Sequence, residues 1–178
     1  PTATPTANPT FTPTAMPTAA PTCGTEWGQV GHDIDGEAAY DTLGMRNAVG
    51  MSADGLIMAV GSNENDSAGH NAGHVRVFKW AEPEWKQIGQ DITGKNSYDY
   101  AGSSVELSAD GRTLAVGAHA DGTTKGHVSV YTFEEEKWVQ KGADIIGEEA
   151  YDYSGAAIDI SADGNIVAVG AYKNDGEM

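Results

Sequence analysis

One cysteine, Cys23, occurs in 178 residues. A disulfide-stapled scaffold and a cysteine-based zinc centre within the chain are thereby excluded. Cys23 is left to pair with another chain, as an inter-chain disulfide, or with a further part of this one, or to remain a free thiol. Basic residues are scarce as well: 10 Lys and Arg stand against 26 Asp and Glu, for a formal net charge of −16. Nucleic acid, whose phosphates need a basic surface, is therefore not an expected partner. The acidic surplus suits a self-repelling surface or one that gathers cations. No apolar run approaches the roughly 20 residues that cross a bilayer, so no membrane span is expected in this segment. No apolar pattern of period 3.6 persists and Gly is frequent, which leaves helix little place. There is no P-loop, no Gly-x-Ser-x-Gly and no nucleophilic Cys context. Carboxylates are plentiful enough for a glycosidase pair, but none departs from the repeats as a specialised acid would. The sequence thus reads as a non-enzyme with no cofactor. The chain opens at Pro1 without a Met and stops at Met178 inside a repeat, so a processed or partial chain is expected.

What is present falls into two parts, residues 1–23 and 24–178. In the first, Pro recurs at Pro1, Pro5, Pro9, Pro13, Pro17 and Pro21, each followed by Thr. The tract carries no charge and almost nothing to bury. Proline fixes φ and extends the residue before it, so polyproline II or extended coil is expected. Thr/Pro tracts of this kind resemble mucin-like stalks, which makes Thr2, Thr6, Thr10, Thr14, Thr18 and Thr22 candidate O-glycosylation sites. The alternative is a bare linker, but flexibility alone does not require a four-residue register.

The second part is organised around Ser108-Ala109-Asp110-Gly111, flanked by runs that alternate with period two. Asp-Gly between such runs is a hairpin signal, because Gly takes positive φ at little cost. The same hairpin recurs at Ser52-Ala53-Asp54-Gly55 and at Ser161-Ala162-Asp163-Gly164. Each is preceded by a Trp-containing opening, at Trp27, Trp85 and Trp138, and by a Tyr-Asp-x-x-Gly site at Asp41, Asp99 and Asp152. Repeats 27–84, 85–137 and 138–178 follow from this alignment. Gly73 to Phe78 and Gly126 to Tyr131 alternate as a third strand, and the Trp segment makes a fourth. Four short antiparallel strands per unit of about fifty residues is the size of a propeller blade. The expected fold is all-β, a partial propeller of fewer than three such repeats. The small Ala-Val-Gly strand suits the crowded centre, and Trp and Tyr the wider space between blades.

Three strings carry a family likeness: Asp99 to Ser108, then Leu114-Ala115-Val116-Gly117-Ala118, then Gly126-His127-Val128-Ser129-Val130-Tyr131. Together they resemble the FG-GAP repeat, the blade of integrin α-subunit propellers and of many secreted or surface proteins of microbes and algae. The Trp-x-Gln-x-Gly opening is similar to the variant found in those microbial and algal proteins. The Ser-Ala-Asp-Gly turn also looks like a WD40 hairpin, but WD40 blades are shorter and their closing Trp-Asp is absent. The resemblance implies seven blades, of which this chain carries under three. The rest must come from further repeats of the chain or from other copies of it. It also implies a calcium loop of Asp-x-Asp-x-Asp-Gly type between the first two strands. Here that loop has shrunk to Ala-Asp-Gly, and one carboxylate cannot supply the about six to eight oxygens that Ca²⁺ takes.

Several polar residues invite a functional reading. Asp41, Asp99 and Asp152 would offer a ring of carboxylates, against the plainer expectation that each binds N–H groups of its own turn. Asp33, Asp91 and Asp144 recur in the same way and read as turn or edge caps, and Asp54, Asp110 and Asp163 as turn residues. His70, His74, His119 and His127 are candidate metal ligands, but His74 and His127 are equivalent repeat positions and no metal site is expected. Asn65-Asp66-Ser67 is an N-glycosylation triplet in the longest loop, whereas Asn8-Pro9-Thr10 is blocked by Pro. The reading is an extracellular or cell-surface structural or adhesive glycoprotein, part of a larger assembly or filament. Its partners would be covalent glycans and more of its own repeats. The alternatives are a glycan- or protein-binding propeller module and a calcium-dependent adhesion receptor.

Overall fold

A computed structural model describes residues 28–120 and 125–175. The Thr tract and Cys23 lie outside the described residues. The described elements are all strands. The first sheet holds β1 (Val49–Met51), β2 (Ile57–Ser62), β3 (His74–Ala81) and β4 (Glu84–Gln87) in that order, with β5 (Ile92–Thr93) also on β3. The second repeats it with β6 (Ala101–Leu107), β7 (Thr113–Ala118), β8 (His127–Glu134), β9 (Lys137–Gln140) and β10 (Ile145–Ile146). The third has β11 (Ser154–Ile160) and β12 (Val167–Ala171). Every pairing within these sheets is antiparallel. The four-strand unit expected from the repeats is thus present, with its outer strand in two pieces. The break falls where Gly89 and Gly142 take φ of 72° and 80°. No closed ring of sheets forms among the described residues.

The central hairpin forms for reasons local to Ser-x-Asp-Gly. Gly111 N donates to Ser108 O at 2.9 Å, and Ser108 N donates to Thr113 O at 2.9 Å. The Ser108 hydroxyl donates to Asp110 Oδ1 at 2.7 Å and accepts from Thr113 N at 2.9 Å. Asp110 Oδ1 also accepts from Arg112 N at 3.0 Å. The connection is wider than a two-residue loop, because the serine and aspartate side chains stand in for ladder bonds. Only Gly111 needs positive φ.

The sheets pack face to face, β6 against β1 and β2, and β11 against β6 and β7. Ala59, Val75 and Val77 of the first sheet meet Val105, Leu107, Leu114 and Val116 of the second, with Trp138 closing one end. Small residues set the spacing. A Cβ on Gly61 would overlap the Gly102 carbonyl, and one on Gly117 would overlap the Gly155 carbonyl. The hairpin tips are joined in series: Ala53 N donates to Ala109 O at 3.0 Å, and Ala109 N to Ala162 O at 2.9 Å. The placement of the tyrosines corrects the expectation. Tyr40, Tyr98 and Tyr151 are 89%, 43% and 61% exposed rather than held between sheets. Each sits at positive φ, as does the residue two further on, and that turns the intervening Asp inward and the Tyr outward.

Candidate functional site

The repeated feature with the most specific geometry joins one sheet to the next. Trp138 Nε1 of the second sheet donates to Ile88 O of the first at 3.2 Å, and the indole is 3% exposed. Its ring packs on Phe133, centroids 5.0 Å apart. Gly89 makes room, since a Cβ there would lie 2.6 Å from Trp138 Cδ1. Gln90 clamps the Trp138 backbone, its Nε2 donating to Trp138 O at 2.7 Å and its Oε1 accepting from Trp138 N at 3.1 Å. One repeat earlier, Trp85 Nε1 donates to Val30 O at 3.2 Å, and a Cβ on Gly31 would meet Trp80 and Trp85. One repeat later the place belongs to Gly142. Among the described residues nothing lies within 4 Å of a Cβ built there. The Trp-x-Gln-x-Gly motif is therefore half of a joint, with Trp85 and Trp138 each entering the Gly notch of the preceding copy.

Most of the recurring acids act within their own repeat. Asp41 Oδ2 accepts from Ala38 N at 2.9 Å, Asp99 Oδ2 from Lys95 N at 2.9 Å and Asn96 N at 2.8 Å, and Asp152 Oδ2 from Glu149 N at 3.0 Å. All three are buried, each bonded within its own turn. Asp33, Asp91 and Asp144 accept from the Gln four residues before, at 2.8, 2.6 and 2.8 Å, bracing the break in the outer strand. Asp144 also accepts from Lys95 Nζ at 2.7 Å and from the Ser129 hydroxyl at 2.6 Å. Burial alone would raise its pKa, but these donors outweigh it and hold the carboxyl below its ordinary value. Asp54, Asp110 and Asp163 all serve the hairpin turns. The Ser hydroxyl first and a backbone N–H second lower Asp54 and Asp110.

The four candidate histidines are dispersed. His70 lies 3.3 Å from Asp66 and edge-on to Tyr98. His74 is fully buried on β3, and His127 is half-buried on β8. His119 joins a row of rings, 5.4 Å from Tyr100 and 6.0 Å from Tyr153, which stacks on Tyr172 at 5.2 Å. Tyr100, His119, Tyr172, Arg46, Asn63 and Glu64 line a cleft of about 270 Å³. Burial, with Arg46 adding to it, pushes the His119 imidazole below its ordinary pKa. Asn65 is 3% exposed, and its Nδ2 donates to Asp41 Oδ2 at 3.0 Å. A sugar on Asn65 would have to attach through that inward-facing nitrogen. Sequence reading passed over the Trp-to-Gly pairing between successive copies, although both residues stand in the repeated motif. Compared with family models and with curated proteins, the chain matches none.

Proposed function

We propose that the chain is an extracellular structural or adhesive glycoprotein, a run of FG-GAP-type repeats that joins further units of the same kind. The observation that carries this reading is the Trp-in-Gly joint, filled at Gly31 and Gly89 and open at Gly142. The third sheet supports it: Ala157, Asp159 and Ala168 are exposed at positions whose counterparts in the second sheet are wholly or partly covered. Its β12 also presents an unpaired edge among the described residues, a template for another strand. A further unit would cover both. The Thr tract then serves as a glycosylated stalk that holds the repeats away from a surface. Size-exclusion chromatography with light scattering on the whole chain tests the reading. Self-association that rises with concentration, and that falls in Ala168→Glu on the exposed face, is the expected result. A monomer at every concentration would refute it.

A second reading, a glycan-binding module, rests on the cleft beside Tyr100, His119 and Tyr172. Stacked rings with Arg46 and Glu64 nearby are the furnishing sugars use. Selective binding on a sugar array, abolished by Tyr172→Ala, would favour it over the structural one.

A further inference from the structure

We propose that Glu37, His74 and Asp91 form a binding site for a divalent transition metal of the zinc class. One oxygen from each carboxylate and one ring nitrogen of His74 lie within 4.8 Å of one another. The imidazole supplies the independent observation. His74 is 0% exposed, and among the described residues neither Nδ1 nor Nε2 has a hydrogen-bond partner. Its Nδ1 faces Glu37 Oε2 at 3.9 Å. A buried ring with both nitrogens unserved costs stability, and a metal that takes the lone pair of one of them removes that nitrogen's share of the cost.

The second sheet shows what the corner requires. There Lys95, His127 and Asp144 hold the places of Glu37, His74 and Asp91. The Lys95 ammonium sits 2.7 Å from both Asp144 oxygens, a cation already in the corner. In the first sheet the ammonium is replaced by a carboxylate. Arg76 stands where Ser129 does in the second, with Nη1 3.7 Å from Glu37 Oε1 and Nη2 donating to Asp35 O at 2.8 Å. One arginine offsets only one of the two carboxylates, so a negative charge remains beside a ring with one free lone pair. Asp91 is held by Gln87 Nε2 at 2.6 Å, the kind of outer contact that orients a ligating carboxylate.

The donor set selects the ion. One nitrogen and two carboxylate oxygens suit zinc and its neighbours, whereas Ca²⁺ and Mg²⁺ prefer oxygen alone. Bonds of about 2.0–2.2 Å put ligand atoms roughly 3.3–3.6 Å apart around a tetrahedral ion. The 3.9 Å gap closes by a small movement of Glu37, whose side chain is 43% exposed. Water completes the fourth position.

The test uses the whole chain, stripped with EDTA and returned to chelator-free buffer, with Zn²⁺ as the probe. Calorimetric titration should show one tight site, and excess Zn²⁺ should raise the melting temperature by mass action. Glu37→Lys installs the second sheet's ammonium at an exposed position. It should keep the fold by circular dichroism and weaken Zn²⁺ binding about tenfold or more. Asp91→Asn should weaken it comparably, and Co²⁺ should shift the His74 ring signals in NMR. The acidic surface will gather Zn²⁺ weakly elsewhere, so the differences between variants decide. No tight site in the natural chain, or equal binding by the chain and Glu37→Lys, would overturn the assignment.

Discussion

Leu114 of the second sheet and Val167 of the third hold the same place in the repeat, as do Ala115 and Ala168. Leu114 and Ala115 are fully buried, whereas Val167 is half-buried and Ala168 exposed. The two hairpins share the Ser-Ala-Asp-Gly turn and the Ala-Val-Gly strand, their apolar exchanges are conservative, and their internal pairing is the same. The difference lies in what covers them. The second hairpin has its own outer strands β8 to β10 and a sheet on either face. Among the described residues the third is covered on one face only, chiefly by β6 and β7. Burial in this protein is therefore supplied by neighbours more than by the unit, as expected of repeats that cannot bury a sheet alone.

The sharpest way to break the comparison is to remove the joint. Trp138→Ala should cost about 3–5 kcal/mol, the loss for a buried Trp, and should loosen the second sheet from the first. Trp85→Ala, at a half-buried place in the earlier copy, should cost clearly less. Paired thermal melts measure both, and equal losses would mean that the Trp-in-Gly joint does not govern cohesion.

A smaller effect is expected where backbones touch. Gly61→Ala forces a methyl into the Gly102 carbonyl and should cost about 2–3 kcal/mol. Gly170→Ala occupies the same repeat position on the outer face, where the nearest atom to its Cβ is Ala157 O at 3.3 Å. It should change stability by no more than about 0.5 kcal/mol in chemical denaturation. A loss at Gly170 as large as at Gly61 would show that the third sheet is covered in solution, and so would support self-association.

How far the sequence disclosed this follows from the range of each interaction. The hairpins were legible because Ser108, Asp110 and Gly111 close them within a few residues of chain. The fourth strand was legible from the recurring Trp segment, but its break was not, because the Gln87-to-Asp91 brace is a contact rather than a pattern. The inward Asp and outward Tyr at residues 98–100 were half-legible: carboxylate capping was expected, but the paired left-handed residues that expose Tyr98 leave no composition signal. The metal corner was passed over because His74 and His127 look equivalent. Only the structure sets Glu37 beside one and Lys95 beside the other.

The two sheet-to-sheet contacts also differ in charge. Gly50 of the first sheet packs on the backbone of Val105 and Glu106. At the same repeat position, Glu106 faces the third sheet and Asp159. Burial first, and Asp159 second, push the Glu106 carboxyl above its ordinary value. An acid whose folded pKa is raised contributes stability fully below its unfolded value and loses it as pH rises through the folded one. Glu106→Gln should therefore raise the melting temperature modestly near neutral pH and leave it unchanged in acid. A drop at neutral pH would mean that the carboxylate is being stabilised there.

The smallest effect belongs to the turns, which look alike whether covered or not. The Asp163 carboxyl is lowered to about 2, chiefly by the Ser161 hydroxyl, then by the Asn165 side chain and its backbone N–H. Ser161 Oγ donates to Asp163 Oδ1 at 2.6 Å, matching Ser52 to Asp54 at 2.6 Å and Ser108 to Asp110 at 2.7 Å. A depressed carboxylate pKa contributes stability above the unfolded value of 3.8 and loses it as pH falls through about 2. Asp163→Asn should therefore lower the melting temperature slightly near neutral pH, and the deficit should vanish in strong acid. Asp54→Asn should behave in the same way in the first sheet, since both turns are closed by their own residues. Carboxyl carbon NMR across an acid titration reads the pKa directly. An Asp163 that titrates at the ordinary value, with Asp54 still depressed, would show that the turn needs a covered sheet beneath it and that even this local element depends on its neighbours.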